Sequence, residues 1–397
     1  MSRSSRKNNA SCFGLIFLAI FVLVGIIYTA TGSDLLGIFT STGTPQSSTL
    51  TPLLPPTNTF DVGTSVSSWW EIYFTDPLTV NDPNNYAGSI EDTLIQKINA
   101  AQTSIHIASF EFNLTPVAEA LVAAHNRGVD VRWVTDDESG LGADGNPGRG
   151  QFALLQNAGI QVRSDDRSAL MHNKFWVFDG QTVWSGSTNI TASGIFEQDS
   201  NVIVIHSPEV AAMYERQFSE MWDGQFGPQL PSTVELQSAN LNGTNIQVLF
   251  SPEDHVVDKL IALVNTSQAS IRFLAFSFTD YPLADAMRQR AAAGVDVSGV
   301  WETVGSETDA SELKTLFCAH IPVRQDGNPQ FMHNKFIVID SRIVITGSLN
   351  YSSSADESNN ENVIILDNPD VAALYLQYFD RIWGQAHAPD PVKIPCQ

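Results

Sequence analysis

The sequence HNKFWVFD at residues 172–179 returns as HNKFIVID at residues 333–340, and this pair decides the fold. Each copy leads at the same distance into a second short motif, GSTN at residues 186–189 and GSLN at residues 347–350. Six fixed residues recur by chance at a frequency on the order of 10⁻⁸ per window, when each is given its average usage. Two copies with one internal spacing therefore indicate a duplicated structural unit with a duplicated chemical task.

The repetition extends well beyond these motifs. SIHIASFEF at residues 104–112 resembles SIRFLAFSF at residues 270–278, and GVDV occurs at both 128–131 and 294–297. The first copy is five residues longer, and the extra residues fall in the glycine-rich, acidic loop at 135–150. Because this loop follows a predicted strand, it is expected either to gate a substrate or to be a plain surface loop.

Each copy is expected to alternate strands and helices. The predicted strands are 105–110, 129–135, 271–278 and 295–300, and the predicted helices are 115–126 and 283–293. Alternation of this kind favours a largely buried sheet with helices on its faces. The sequence thus predicts an α/β fold: a two-lobed pseudo-twofold sandwich of two repeats, 69–230 and 244–390, each a mixed β-sheet flanked by helices.

The first 68 residues are expected to lie outside this fold. A short basic tail, 1–11, precedes an apolar run at 12–30 that is long enough to span a bilayer. The charge difference across the run predicts a cytoplasmic tail and a single-pass signal-anchor, with the body of the protein outside the cytoplasm. A cleaved signal peptide followed by secretion is the alternative. The Ser/Thr/Pro-rich residues 31–68 are predicted to be a linker.

Charge and cysteine content limit the kinds of partner and cofactor. The formal net charge is −22 at pH 7, which repels the backbone of nucleic acids at long range, so nucleic acid is not the expected substrate. Cys318 and Cys396 could pair in an exported protein, but a buried free thiol is the expected state of Cys318. No Cys/His cluster has metal-ligand spacing, and the sequence predicts no metal and no cofactor.

The polar residues of the motifs are expected to converge on one point. Residues two apart in an extended strand point the same way, so the histidine and lysine of each motif share a face, as do the serine and asparagine that follow. The candidate site residues are His172, Lys174, Ser187 and Asn189 in the first repeat and His333, Lys335, Ser348 and Asn350 in the second. Lysines, amides and hydroxyls would form a cradle for phosphate, and two histidines would supply the two proton-transfer roles of phosphoester cleavage.

These motifs resemble those of the phospholipase D superfamily, in which an H-x-K-x₄-D motif continues into G-S/G-x-N. The resemblance covers about Trp69 to Gln385. It implies a site at the interface of two lobes, a phosphohistidine intermediate and no metal. It also implies that His172 is the nucleophile, that His333 is the general acid and base, and that Asp179 and Asp340 brace the site without contacting phosphate.

One position differs between the repeats. The resemblance implies an acidic residue beyond each asparagine that orients the histidine of its own half. In the second repeat this residue is Glu361, which is expected to hold His333. In the first repeat the position is Ser200, so His172 has no predicted carboxylate partner unless Glu197 substitutes. The two histidines are therefore expected to differ in pKa.

The sequence as a whole predicts a membrane-anchored phosphodiesterase of the phospholipase D type. It would hydrolyse the headgroup ester of a phospholipid, or transfer the phosphatidyl group to another alcohol, as a monomer with an internal pseudo-dimer. Two alternatives stay open at this point: a metal-independent endonuclease of the same superfamily, and an inactive scaffold that binds anionic headgroups.

Overall fold

The computed structural model describes residues 65–396, except for residues 229, 233, 234 and 236. The predicted tail, the predicted signal-anchor and nearly all of the predicted linker lie outside the described residues. Within the described part of the chain, no helix is both long and apolar enough to cross a membrane.

Repeat 1 forms one mixed sheet of eight strands with helices on its faces. In chain order its strands are β1 (Ser65–Val66), β2 (Trp70–Phe74), β3 (Ser104–Ser109), β4 (Asp130–Thr135), β5 (Gln161–Ser164), β6 (Lys174–Phe178), β7 (Thr182–Gly186) and, after the separate β8 (Gln198–Asp199), β9 (Asn201–His206). Its helices are α1 (Ile90–Ala100), α2 (Thr115–Asn126), α3 (Gln151–Asn157), α4 (Ala192–Phe196) and α5 (Pro208–Trp222). The strand order is β1-β2-β9-β7-β6-β3-β4-β5, in which β3-β4 and β4-β5 are parallel and the other neighbours antiparallel.

Repeat 2 reproduces this sheet strand for strand. Its strands are β10 (Ser238–Leu241), β11 (Thr244–Ser251), β12 (Ser270–Ala275), β13 (Asp296–Trp301), β14 (Val323–Gln325) and, after the separate β15 (Phe331–Met332), β16 (Lys335–Ile339), β17 (Ile343–Gly347) and β18 (Glu361–Asp367). Its helices are α6 (Val256–Thr266), α7 (Tyr281–Ala292), α8 (Leu313–Cys318), α9 (Ser353–Glu357) and α10 (Pro369–Gln385). The order β10-β11-β18-β17-β16-β12-β13-β14 matches that of repeat 1, and β15 pairs with β8 of repeat 1 in parallel.

Both repeats contribute to one shared hydrophobic core. Because successive strand residues point to opposite faces, Phe175 and Val177 of β6 enter the shared core, whereas Trp176 and Phe178 pack against the helices of repeat 1. Strand β16 divides its residues between the shared core and repeat 2 in the same way, and helices α5 and α10 complete the shared core. The architecture confirms the predicted two-lobed α/β sandwich.

The glycine before each motif serine lets neighbouring strands approach closely. A Cβ atom on Gly186 would overlap the carbonyl oxygen of Asn201, and one on Gly347 would overlap that of Asn362. Ser187 N and Ser348 N then donate hydrogen bonds to those same carbonyls, at 3.0 Å and 2.9 Å. The ends of β7 and β17 are thereby fixed against the starts of β9 and β18.

The expected free thiol at Cys318 is wrong, because Cys318 and Cys396 form a disulfide. The chain after α10 turns back over repeat 2. His387 exchanges backbone hydrogen bonds with Gln325 of β14, and Ile394 is 3% exposed in the core of that repeat. These contacts bring the end of the chain to the end of α8, an approach that the spacing of cysteines in the sequence does not reveal.

We expect replacement of both Cys318 and Cys396 by serine to lower the free energy of unfolding by about 4 kcal/mol. The disulfide closes a loop across a sequence separation of 78 residues, which restricts the unfolded chain. Denaturant titration of the variant and of the wild-type protein measures the change. Wild-type protein with a reductant should unfold like the double variant, and equal midpoints for oxidised and reduced protein would contradict the expectation.

Candidate active site

The histidine and lysine of each motif lie where a buried central strand begins. Lys174 is the first residue of β6, and Lys335 is the first residue of β16. Each of the four residues is at most 6% exposed: His172, Lys174, His333 and Lys335. The backbone of each histidine is bonded to the opposite repeat. His172 N donates to the carbonyl of Asn360 (2.9 Å), and His333 N donates to that of Asp199 (2.8 Å).

These four side chains face one another across the interface between the repeats. The charges of Lys174 and Lys335 both lower the pKa of His172, and nearby His172 in turn lowers the pKa of His333. Hydrogen bonds from both histidines to the opposite repeat place them at this interface. The structure therefore brings the histidines and lysines of both motifs together in one site.

Both imidazoles are oriented by groups of the opposite repeat. Nδ1 of His172 lies 2.7 Å from Oε2 of Glu361, and Nδ1 of His333 lies 3.0 Å from the carbonyl oxygen of Ser187. Desolvation lowers the pKa of His172, and a hydrogen bond with the backbone of Ser348 offsets part of that shift. Because a carbonyl only accepts, His333 carries its proton on Nδ1, which directs Nε2 toward the site.

The prediction that Glu361 holds His333 is wrong, because Glu361 holds His172. The start of β18 crosses to repeat 1 through the bond between Asn360 and His172, so its first side chain reaches the imidazole of the other repeat. The corresponding Ser200 has a fully buried side chain whose Oγ has no hydrogen-bond partner among the described residues. The histidine without a carboxyl partner is therefore His333.

Each histidine–lysine pair is packed beneath a phenylalanine from the end of the third strand of its sheet. The ring of Phe110 meets His172 edge-on at 4.9 Å, and the ring of Phe276 meets His333 edge-on at 4.6 Å. The ammonium groups of Lys174 and Lys335 lie 5.2 Å and 4.5 Å from the centres of the same rings. These aromatic faces stabilise cations that have little water around them.

Burial makes this cluster electrostatically unfavourable when no anion is bound. Desolvation lowers the pKa of Lys174 to about 8, and desolvation followed by repulsion from Lys174 lowers the pKa of Lys335 well below its usual value. Desolvation also lowers the pKa of both histidines and raises the pKa of Glu361 to about 8. A bound phosphate would offset the repulsion between the lysines, so the site is built to take an anion.

The motif serines lie behind the imidazoles, although the sequence predicts hydroxyls that face phosphate. Ser187 Oγ accepts from the backbone N–H of Asn201 (3.1 Å), and Ser348 Oγ donates to Oε2 of Glu361 (2.6 Å). The motif asparagines are different. Asn189 and Asn350 each have a buried Oδ1 that accepts no hydrogen bond from the described residues.

The motif aspartates lie at the opposite end of their strands from the lysines. Asp179 accepts the backbone N–H groups of residues 102–104, and Asp340 accepts those of residues 268–270. Each carboxylate thus ties the turn after β6 or β16 to the start of the neighbouring strand, and these bonds lower its pKa. The aspartates stabilise the strands that carry the lysines and lie outside the site itself.

Sequence reasoning missed four buried acids beside the motifs. Asp136 and Glu302 follow β4 and β13, and Asp165 and Asp326 lie seven residues before the two motif histidines. The repeated seven-residue spacing is the signal that could have revealed the second pair. Carboxyl oxygens of Asp136, Asp137 and Asp165 also lie within 4.8 Å of one another, a cluster that the motifs alone do not indicate.

One further charged pair lies beside the site in repeat 1. Glu111 Oε2 is 3.4 Å from Nδ2 of Asn189, and Glu111 raises the pKa of Lys174. Arg149, from the longer loop, lies 3.5 Å from Oε1 of Glu111. The matching position in repeat 2 is Ser277, so the carboxylate is on one side of the site only.

Comparison with known proteins gives the family. Residues 94–222 and 260–383, which together exceed half of the chain, match the family described as "Cardiolipin synthase, PLD-like domain". The chain belongs to the phospholipase D superfamily. Both matched stretches lie within the predicted repeats of this phospholipase D-like protein.

Individual relatives agree with this assignment. The human protein named mitochondrial cardiolipin hydrolase is 31% identical over 164 residues, which are 39% of this chain and 65% of that protein. A phospholipase D of Rickettsia bellii is 31% identical over 147 residues, which are 37% of this chain and 73% of that protein. The match to the human protein thus spans just under two thirds of its length, and the names of these relatives agree with the prediction of an enzyme.

The fold of a phospholipase D-like protein is also seen in a solved structure. Phosphatidylserine synthase of Haemophilus influenzae superposes with a TM-score of 0.60 at 15% identity, over 80% of this chain and 87% of that chain. This likeness covers both repeats and shows that the two-lobed arrangement occurs in a single chain elsewhere.

We expect sulfate to bind this phospholipase D-like site more weakly as the pH rises. The pKa of Lys174 is about 8 in the free site, and a bound anion raises it, so binding takes up a proton above that pH. As the pH passes through about 8, the dissociation constant should rise by up to about tenfold per pH unit from the loss of the Lys174 proton. Isothermal titration calorimetry measures it, and Lys174→Met should bind weakly throughout. A constant affinity across this range would contradict the expectation.

Proposed function

We propose that the protein is a phosphodiesterase that cleaves the headgroup ester of a phospholipid through a phosphohistidine intermediate. The observation that carries the proposal is a duplicated, buried histidine–lysine site in which one imidazole alone has a carboxyl partner. Two lysines, two amides and two histidines can bind, cleave and release a phosphodiester without a further group.

His172 is proposed as the nucleophile. Its Nε2 attacks phosphorus, the bond from phosphorus to the headgroup oxygen breaks, and His333 Nε2 gives its proton to the departing oxygen. A phosphorylated imidazole carries positive charge, which lowers the pKa of Glu361, 2.7 Å from Nδ1, so that its carboxylate stabilises the cation. Nδ1 of His333 has a carbonyl partner and no carboxyl partner, so protonated His333 releases a proton more readily than protonated His172 does.

The second step regenerates the enzyme. His333, now neutral, takes a proton from water as the water oxygen attacks phosphorus. The bond from phosphorus to Nε2 of His172 breaks, its electron pair returns to the imidazole, and phosphatidic acid leaves. Another alcohol can replace water in this step, which gives transfer of the phosphatidyl group, including a cardiolipin-synthase-like outcome.

A bound substrate would also prepare His333 for its task. Desolvation and the lysine charges lower the pKa of His333 in the free site. The negative charge of a phosphodiester offsets the lysine charges and therefore raises this pKa. His333 would thus be protonated when substrate is present, as a general acid must be.

Charge favours a lipid over a nucleic acid as the substrate. The chain carries a formal net charge of −22, and Glu111 adds a carboxylate beside the motif asparagine of repeat 1. Both features repel a polyanion that must pass additional phosphates near the site. The relatives named cardiolipin hydrolase and phospholipase D support a lipid substrate.

The catalytic body is proposed to lie outside the cytoplasm, as a monomer held by the predicted signal-anchor at 12–30. The disulfide between Cys318 and Cys396 supports an oxidising compartment. Tethering of this kind would keep the site close to a membrane that contains its substrate.

The two histidines should behave differently in a trapping experiment. With phosphatidyl-p-nitrophenol, whose leaving group needs no proton from His333, His333→Ala should accumulate a phosphatidyl adduct because the water step lacks its base, and His172→Ala should form none. Mass spectrometry of alkali-quenched protein detects the adduct. The exposed His387→Ala is the matched control and should turn over normally. An adduct in His172→Ala that is absent from His333→Ala would reverse the assignment.

The full-length protein in EDTA should release phosphatidic acid from phosphatidylcholine vesicles and leave plasmid DNA intact. His172→Ala should lose this activity by at least about a thousandfold, because it removes the nucleophile. Thin-layer chromatography and gel electrophoresis measure the two reactions. Nicking of DNA without lipid cleavage would support the endonuclease, and vesicle binding without either product would support the scaffold.

A further inference from the structure

A buried carboxyl holds the backbone immediately before each motif histidine. Asp136 follows β4, Glu302 follows β13, and both are at most 2% exposed. Oδ2 of Asp136 accepts the backbone N–H of Met171 (3.2 Å), and Oε2 of Glu302 accepts that of Met332 (2.7 Å). These methionines directly precede the two histidines in the sequence, so the carboxyls act one peptide unit away from the imidazoles.

The other oxygen of each carboxyl is fixed by its own loop. Oδ1 of Asp136 accepts the backbone N–H of Ser139 (2.7 Å), and Oε1 of Glu302 accepts that of Val304 (2.8 Å). Each carboxyl is therefore bonded at both oxygens and cannot turn without losing a hydrogen bond. It joins the end of β4 or β13 rigidly to the segment that carries the histidine.

A second acid fixes the other end of each segment. Oδ1 of Asp165 accepts the backbone N–H of Asp137 (3.1 Å), and Oδ2 of Asp326 accepts that of Thr303 (2.8 Å). The seven-residue segments that lead to the histidines are thus tied to β4 and β13 at their beginnings and at their ends. Both repeats have kept this arrangement, although Asp136 and Glu302 differ in length.

The acids also balance the charge of the lysines. Asp136 raises the pKa of Lys174, and Glu302 raises the pKa of Lys335. Burial and the neighbouring acid raise the pKa of Glu302 to about 9 and that of Asp165 to about 7. Burial therefore disfavours the charged forms of the acids as well as of the lysines.

We propose that Asp136 and Glu302 are positioning residues for the reaction, each holding the histidine of its own repeat in line with phosphorus. The inference rests on the proposed function of His172 and His333. Without its carboxyl, a histidine keeps the backbone bond to the opposite repeat and loses the one to its own sheet. A displacement of about 1 Å can reduce a rate by about a hundredfold.

Steady-state kinetics of Asp136→Asn and Glu302→Gln in the full-length protein tests the proposal. Each amide keeps one acceptor oxygen and places an NH₂ group against a backbone N–H. The variant therefore loses the hydrogen bond from the methionine N–H or the one from the N–H of its own loop. We expect kcat to fall about 10- to 100-fold with KM changed less than about threefold. The conservative variants Asp136→Glu and Glu302→Asp keep both acceptors and should recover at least about half of the loss on a logarithmic scale.

Glu91→Gln is the matched control. Glu91 is fully buried in α1, its carboxyl oxygens have no hydrogen-bond partner among the described residues, and it lies outside the motifs. Its replacement should leave kcat unchanged. If Asp136→Asn and Glu302→Gln keep kcat within about twofold of wild type, the proposal is overturned. An equal fall in kcat for Glu91→Gln would also overturn it, since any buried acid would then have the same effect.

Imidazole NMR separates this proposal from the proposed function. Asp136→Asn should shift the ring resonances of His172 and leave those of His333 in place, and Glu302→Gln should do the reverse. If wild-type protein cleaves none of the tested lipids, the proposed function fails while these shifts still decide whether the carboxyls position the imidazoles. Ring resonances that stay unchanged in both variants would overturn the positioning proposal whatever the activity.

Discussion

The site depends on a pair of backbone hydrogen bonds that join each histidine to the opposite repeat. His172 N donates to Asn360, and His333 N donates to Asp199. Because Asn360 directly precedes β18, the first side chain of that strand, Glu361, reaches the imidazole of His172, whereas the imidazole of His333 meets the backbone carbonyl of Ser187 after β7. The side-chain hydrogen bonds of both imidazole rings come from the opposite repeat, so the site as well as the fold requires the duplication.

The second constraint is the burial of two lysines and two histidines in one interface. Desolvation lowers the pKa of all four groups, and the lysines repel each other. Such an arrangement destabilises the free protein and is held in place by the surrounding fold: aromatic rings above the lysines, buried acids behind them, and the shared core between the repeats. A bound phosphate would supply the missing charge.

Much of this arrangement was predictable from the sequence, because it depends on the spacing of residues within each repeat. The repeated motifs predict the duplicated α/β unit, and the helix at Thr115–Asn126 is predicted to the residue. Contacts that cross between the repeats could not be predicted from the sequence. The assignment of Glu361 to His333 followed from the family resemblance, which pairs the acid with the histidine of its own repeat, and the fold instead carries that side chain to His172. The pairing of Cys318 with Cys396 likewise depends on how the chain end folds back.

The remaining asymmetry has a chemical reason. A two-step displacement needs one histidine that holds positive charge while bonded to phosphorus and another that gives and takes a proton. A carboxyl at Nδ1 suits the first task, and a carbonyl alone suits the second, because it fixes the tautomer without stabilising the cation to the same degree. Two identical imidazoles would compete for both tasks. Ser200, where repeat 2 has Glu361, removes that competition while Ser187 still orients His333 through its carbonyl. In the proposed mechanism, a nearly symmetric scaffold would thus support an asymmetric reaction through the difference between Ser200 and Glu361.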